Sequence, residues 1–203
     1  MNRLQNPLIG FLSALVLMGV LTTLGPIERS LGVNVRLVYL HGVWVWTAIV
    51  ALGASALLAL PGAFLDHRFS QRWSQALGQA GMIFWITYLP LSIWTMQANW
   101  NGLYLAEPRF KIGLDFAVIG VLLQAAILIM SHPRLASVLN LSYLIALAIS
   151  LSQAEQVMHP PSPITTSESL IIRGFFFALL VVSLAAGAFL TIWIGRLQAG
   201  RPT

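Results

Sequence analysis

Two histidines are the residues of this chain whose types and surroundings could support chemistry. His41 lies between Tyr39 and Trp44, about one helical turn inside a long apolar run, and His159 precedes two prolines far along the chain. An ionisable side chain in an apolar run is costly to bury and usually has a partner. Neutral imidazole is a common axial ligand of haem iron, and two imidazoles from different helices can bind the iron from both faces. The pair could therefore bind haem, non-covalently because the chain has no cysteine.

Aromatic and basic residues accompany the two histidines. Trp44 lies three residues after His41, on the same helical face, and Trp100 lies in a stretch over residues 97–111 that could cover a porphyrin. Three arginines could pair with haem propionates, because arginine binds carboxylates with charge-assisted hydrogen bonds. These arginines are Arg36, Arg109 and Arg173.

Each of these residues also has a purely structural interpretation. Tryptophan and tyrosine collect at membrane interfaces without any cofactor, and arginines at helix ends often serve as anchors. A single interfacial histidine is commonly a hydrogen-bonding residue, and Glu107 with Arg109 could form a salt bridge that shapes a loop. A quinone or a chlorophyll-type molecule would suit the same aromatic cleft. The residues alone leave these alternatives open.

The composition indicates where these residues must be placed. Hydrophobic residues make up 58% of the 203 residues and charged residues only 8%, whereas soluble domains carry about 25% charged residues. The 11 Lys and Arg are scattered singly and form no basic run, so we expect no nucleic-acid partner. The composition predicts an integral membrane protein that contacts lipid. Its short loops leave little room for a soluble catalytic domain, so we do not expect an enzyme.

Six apolar runs are long enough to span a bilayer. Backbone polar groups in lipid must be satisfied within the segment, and the alternation typical of barrel strands is absent, so the runs are predicted to be helices. The sequence therefore predicts an all-α polytopic membrane protein with six transmembrane helices, as one domain over residues 1–203. The runs cover residues 7–25, 37–60, 77–96, 112–130, 136–152 and 170–194.

The order of the runs fixes which connections share a membrane face. The start of the second run, the loop 97–111 and the loop 153–169 fall on one face, whereas His67 and His132 fall on the other. Basic residues are enriched in cytoplasmic loops, and the face that carries the termini has one more basic residue than the opposite face, which favours cytoplasmic termini. The face of the termini carries six (Arg3, Arg68, Arg72, Arg134, Arg196, Arg201), and the opposite face carries five (Arg29, Arg36, Arg109, Lys111, Arg173).

Two short motifs resemble the cytochrome c assembly family, in particular its six-helix haem-handling members. The segment RLVYLHGVWVW over residues 36–46 is similar to that family's Tyr-Ile-His motif with a following tryptophan, at the opening of the second helix. The segment VMHPPSP over residues 157–163 is similar to the family's His-Gln-Pro motif. The helix count and the spacing of the histidines also match, so the resemblance covers nearly the whole chain.

The resemblance implies that His41 and His159 are external ligands of haem b and that residues 97–111 correspond to the family's tryptophan-rich platform. That platform is reduced here to Trp94, Trp100 and a few neighbours. The implied function is haem handling for cytochrome c assembly, with a haem acceptor or chaperone and other membrane subunits as partners. The alternatives are a b-type haem electron-transfer subunit of a larger complex and a structural membrane subunit without a cofactor.

Overall fold

A computed structural model describes residues 5–155, 164 and 167–199. These residues form six α-helices, each long and apolar enough to cross a membrane, which confirms the all-α prediction. Their bounds are α1 Gln5–Leu24, α2 Val35–Phe64, α3 Arg68–Trp100, α4 Pro108–Met130, α5 Pro133–Ser152 and α6 Leu170–Ala199.

All six helices are longer than the apolar runs that predicted them, and α3 differs most. The predicted loop 61–76 is wrong, because Pro61 lies inside α2 and α3 already begins at Arg68. The first two turns of α3 are rich in polar residues. A search for apolar runs therefore does not include them, although they are helical. Hydropathy marks the part of a helix that lies in lipid, whereas capping and chain connection decide where the helix ends.

The centre of the bundle is the packing of α2 on α3, which α5 and α6 also contact. Small residues make this possible: Ala48, Ala59, Ala76 and Ala80 have no exposed surface, and Gly81 lies directly against Leu52. Helices in membranes associate through such close contacts, because lipid is as apolar as their side chains.

The two ends of the bundle are formed by different helix termini. At one end, here called the His67 end, α3 and α5 begin and α2 and α4 stop. At the other, the Trp100 end, α2, α4 and α6 begin and α3 and α5 stop. His67 and His132 cap α3 and α5 at the His67 end, where their Nδ1 atoms accept from the backbone N–H groups of Ser70 and Leu135 at 3.4 and 3.3 Å. These two histidines thus have a structural role as N-caps.

Candidate functional site

A cavity of about 490 Å³ lies in the Trp100 end of the bundle. Five helices and the loops beside them contribute to its wall, so the connections predicted to share one membrane face do meet there. The volume and the largely apolar wall are typical of small-molecule and cofactor sites. The aromatic part of the wall consists of Trp46, Trp85, Tyr88, Trp100, Phe110 and Phe176.

His41 lies in the wall of this cavity. It is the seventh residue of α2, so its backbone is about 9 Å along the axis from the start of the helix. Its ring faces Tyr88 of α3 with 5.9 Å between centroids. Trp85 packs against Tyr88 at 5.0 Å and donates its indole N–H to the carbonyl oxygen of Gly113 at 3.1 Å. The aromatic pair is therefore tied to the backbone of α4, which fixes the wall opposite His41.

Gly42 also belongs to the wall, and its missing side chain has a specific use. A Cβ atom at this position would lie 3.1 Å from the ring of Phe176 in α6. Glycine therefore lets α6 approach α2 closely beside His41. Phe176 and Gly42 both line the cavity, so this close contact between α2 and α6 forms part of the wall.

Two further predicted site residues, Trp100 and Arg109, line the cavity together with His41. Trp100 is the last residue of α3, and its ring meets Tyr104 edge to face at 5.7 Å. Arg109 is the second residue of α4 and brings a cation to the cavity. An aromatic surface, an imidazole and a guanidinium thus share one space.

The other predicted residues within the described part of the chain lie outside this wall. Trp44 is turned about 60° from His41 around α2, packs on Phe84 at 4.8 Å and donates to the Thr87 hydroxyl at 2.8 Å. The Nε of Arg36 donates to the carbonyl oxygen of Gly25 at 2.9 Å, which ties α2 to the preceding loop. Arg173 lies in the first turn of α6. His159 lies outside the described residues.

The loop between α1 and α2 closes one side of the cavity. Its Leu31 lines the space, and Glu28 accepts from the backbone N–H groups of Leu31 and Ser30 at 3.0 and 2.8 Å. The hydrogen bond from Leu31 is the main reason that the pKa of Glu28 lies below its ordinary value. The hydroxyl of Tyr39 donates to the carbonyl oxygen of Pro26 at 3.1 Å, which fixes the start of the loop on α2.

Glu107 is a cavity residue whose role the sequence did not reveal. It is the N-cap of α4 and only 3% exposed, and its Oε2 accepts from the backbone N–H of Phe110 at 2.6 Å. It forms no ion pair with Arg109 or any other described residue, so the predicted loop salt bridge is not observed. A glutamate directly before a proline that begins a helix was a usable signal, because acidic residues favour helix N-termini and proline favours the first helical position.

Comparison of the sequence with known proteins gives no assignment. No protein-family model matches the chain, and no curated protein matches it. The similarity of residues 36–46 and 157–163 to the cytochrome c assembly family stays a prediction from short motifs.

Proposed function

We propose that the cavity at the Trp100 end binds haem b non-covalently, with His41 as one axial ligand and His159 as the other. The observation that carries this proposal is the position of His41 in the wall of an aromatic cavity of about 490 Å³. Bound haem would supply an iron centre able to hold one electron. The residues fit such a group: imidazole suits the iron, the aromatic wall suits the porphyrin, and Arg109 suits an ionised propionate.

The second axial ligand is supported by its neighbours along the chain. Leu151 of α5 and Ile164 lie on either side of His159 in sequence, and both line the cavity. Described residues on both sides of His159 in the sequence therefore lie at the cavity wall.

Haem handling for cytochrome c assembly is the role that we propose for the site. In this role the protein holds haem for a haem acceptor or chaperone and has no chemistry of its own. The Trp100 end would then face the extracytoplasmic side, with both termini in the cytoplasm, as the count of six against five basic residues favours. Lipid and other subunits would surround the bundle.

A second candidate is an electron-transfer subunit that keeps its haem permanently. The depth of His41 favours it, because haem bound about 9 Å along α2 from the start of the helix would leave slowly. The two roles differ in the fate of the haem. Rapid transfer to an apo-cytochrome or apo-myoglobin indicates handling, and retention with a defined midpoint potential indicates electron transfer.

The test is an absorption spectrum with a pyridine haemochrome assay on the detergent-purified protein. We expect a b-type spectrum in the wild type and its loss or strong weakening in His41→Ala and His159→Ala. His67→Ser is the matched control, because it changes a histidine at the opposite end where serine can still cap α3. A wild type that stays colourless after addition of haem would refute the proposal and leave a structural subunit as the better interpretation.

A further inference from the structure

We propose that the ligand of this cavity is an amphiphile dissolved in the membrane, which enters laterally from the lipid past Trp46. The inference rests on the proposed function insofar as it concerns the same cavity, and it deepens that function by assigning a class of ligand and a route of entry. Haem belongs to this class, because its carboxylates lie along one edge of an apolar ring.

Trp46 belongs to two surfaces of the protein at once. It lines the cavity, and 42% of its surface is exposed. The exposed surface continues along the same face of α2 through Val50, Leu57 and Leu60, which lie outside the cavity wall. On a membrane-spanning helix such an apolar stripe faces lipid. Trp46 therefore lies where the lipid-facing stripe of α2 meets the wall of the cavity.

The position of Trp46 along α2 places this meeting point deep in the membrane. Arg36, near the start of α2, marks the membrane surface, because arginines extend their charged groups toward the interface. Trp46 follows ten residues later, so its backbone lies about 15 Å further along the helix axis. This is near the middle of a hydrocarbon core of roughly 30 Å. A ligand that passes Trp46 therefore comes from the acyl chains and not from water.

The wall of the cavity changes in character along its length. Near the membrane surface it contains Asn99, Glu107 and Arg109, whereas toward the middle of the membrane it contains Val45 and Ile49. A membrane amphiphile has the same order, with its polar head at the surface and its apolar body inside. It can therefore move laterally into the cavity without carrying a charged group through hydrocarbon, which would be costly.

Arg109 determines which head group suits the polar part of the cavity. Its guanidinium pairs well with a carboxylate, which forms charge-assisted hydrogen bonds with arginine. The carboxylate of Glu107 is engaged with the backbone of α4, where it accepts from the N–H of Phe110 at 2.6 Å. The ligand class that fits the cavity is thus an amphiphile with a carboxylate head and an apolar body.

The end of the cavity at the membrane surface is held together more firmly than the wall at Trp46. Asn34, directly before α2, donates to the carbonyl oxygen of Ala98 near the end of α3 at 2.7 Å. The loop that contributes Leu31 to the wall is also fixed on α2, through the hydrogen bond from Tyr39 to Pro26. Rotation of one indole ring at Trp46 is a smaller change than breaking these hydrogen bonds, which favours entry from the lipid.

Trp46→Ala tests this route by its effect on two rates. Protein in phospholipid vesicles is mixed with haem-loaded vesicles, and haem uptake is followed by absorbance; release is followed after addition of excess apo-myoglobin. We expect both rates to rise about tenfold and the affinity to stay nearly unchanged, because a widened passage speeds movement in both directions. A rise in the release rate alone, with weaker binding, would show that Trp46 is only a wall contact and would overturn the route.

Two control variants separate this entrance from other effects. Trp94→Ala removes an exposed tryptophan of α3 outside the cavity wall and should keep the wild-type rates. Leu31→Ala widens the cavity at the membrane surface and should also leave both rates unchanged. Faster uptake by Leu31→Ala and not by Trp46→Ala would show entry from water and overturn the proposal. If Trp46→Ala does not fold, Trp46→Leu, which keeps an apolar side chain, should show the same pattern.

Failure of the proposed function is distinguished by a second ligand. If the wild type takes up no haem, the same rates are measured with metal-free protoporphyrin IX, which keeps the ring and both carboxylates but has no iron for a histidine to bind. Its fluorescence reports saturable binding. Faster uptake and release in Trp46→Ala than in the wild type and Leu31→Ala supports the lateral route. Equal rates in all three proteins, or no binding, overturns it.

Discussion

The two ends of the bundle contain similar polar residues but use them differently. At the His67 end and in the adjoining half of the bundle, polar side chains form hydrogen bonds across helices, to backbone carbonyl oxygens and to one another. Ser55 donates to the carbonyl oxygen of Ser74 at 2.6 Å, Asn140 donates to the same oxygen at 3.3 Å, and Gln124 donates to Asn140 at 3.0 Å. At the Trp100 end, polar and charged residues line a cavity instead, among them His41, Asn99 and Arg109.

The histidines repeat this contrast. His67 and His132 each accept from a backbone N–H three residues ahead, so a local hydrogen bond accounts for their presence. His41 lies in the wall of a cavity beside Tyr88 and Gly42. A histidine in a membrane protein is therefore a ligand candidate because of what surrounds it, and residue type alone does not decide.

The largest effect on stability is expected from Gly113→Ala, which places a methyl group against a residue of the cavity wall. A Cβ atom at this position would overlap the hydroxyl of Tyr88. We expect a loss of about 1–3 kcal/mol in the free energy of unfolding, as for overpacking, together with weaker haem binding. Thermal or denaturant unfolding in detergent and a haem titration measure the two effects.

The double variant Gly113→Ala with Tyr88→Phe sharpens this test. Removing the Tyr88 hydroxyl relieves the closest contact, so the double variant should recover much of the lost stability. Gly53→Ala is the control, because no atom lies within 4 Å of a Cβ at this position and alanine favours helix. A Gly113→Ala protein as stable as the wild type would show that the wall is less tightly packed than the structure has it.

Asn140→Leu breaks the polar network near the His67 end and should have a smaller effect. Asn140 is 5% exposed and bonds to Ser74 and Gln124. Polar contacts between membrane helices contribute about 0.6 kcal/mol on average and up to about 1.7, so we expect a loss of about 1 kcal/mol. Haem binding should not change, since Asn140 does not line the cavity. A parallel loss of haem affinity would show that the two ends are coupled.

The sequence predicted the helices and part of the site for identifiable reasons. Long apolar runs give transmembrane helices directly, because lipid leaves the backbone no alternative. Chain order then placed His41, Trp100 and Arg109 on one face, and they do share a cavity. Membrane sidedness needs only the number of crossings, so this part could be derived without tertiary contacts.

Rotation about a helix axis could not be derived in the same way. Trp44 and Arg36 are close to His41 in sequence, yet one packs on Phe84 and the other binds the Gly25 carbonyl. Which side of α2 faces the cavity depends on its contacts with aromatic residues of α3 and α6, such as Tyr88 and Phe176. Glu107 was missed because its burial arises from the packing of the whole bundle and not from the local sequence.

A double-mutant cycle of Thr47→Val and Ser183→Ala examines the middle of the bundle. Their hydroxyls lie 2.6 Å apart between α2 and α6, both side chains are almost fully buried, and neither lines the cavity. Thr47 also bonds to the carbonyl oxygen of Val43 at 2.8 Å, so the pair is only part of its hydrogen bonding. We expect a coupling energy of about 0.6 kcal/mol in unfolding and unchanged haem affinity. Zero coupling would indicate that each hydroxyl relies on the carbonyl oxygen of Val43, which lies 2.8 Å from Thr47 Oγ1 and 3.4 Å from Ser183 Oγ.

The smallest effect is expected from His67→Ser and His132→Ser, singly or together. Serine is among the best N-cap residues, and its hydroxyl can accept from the N–H groups that the imidazoles now cap. The free energy of unfolding should stay within about 0.5 kcal/mol of the wild type, and haem content should not change. Alanine at the same positions removes the acceptor and should cost about 1 kcal/mol per cap. If the serine variants lose haem, the histidines of the His67 end have a role beyond capping, and the distinction between the two ends no longer holds.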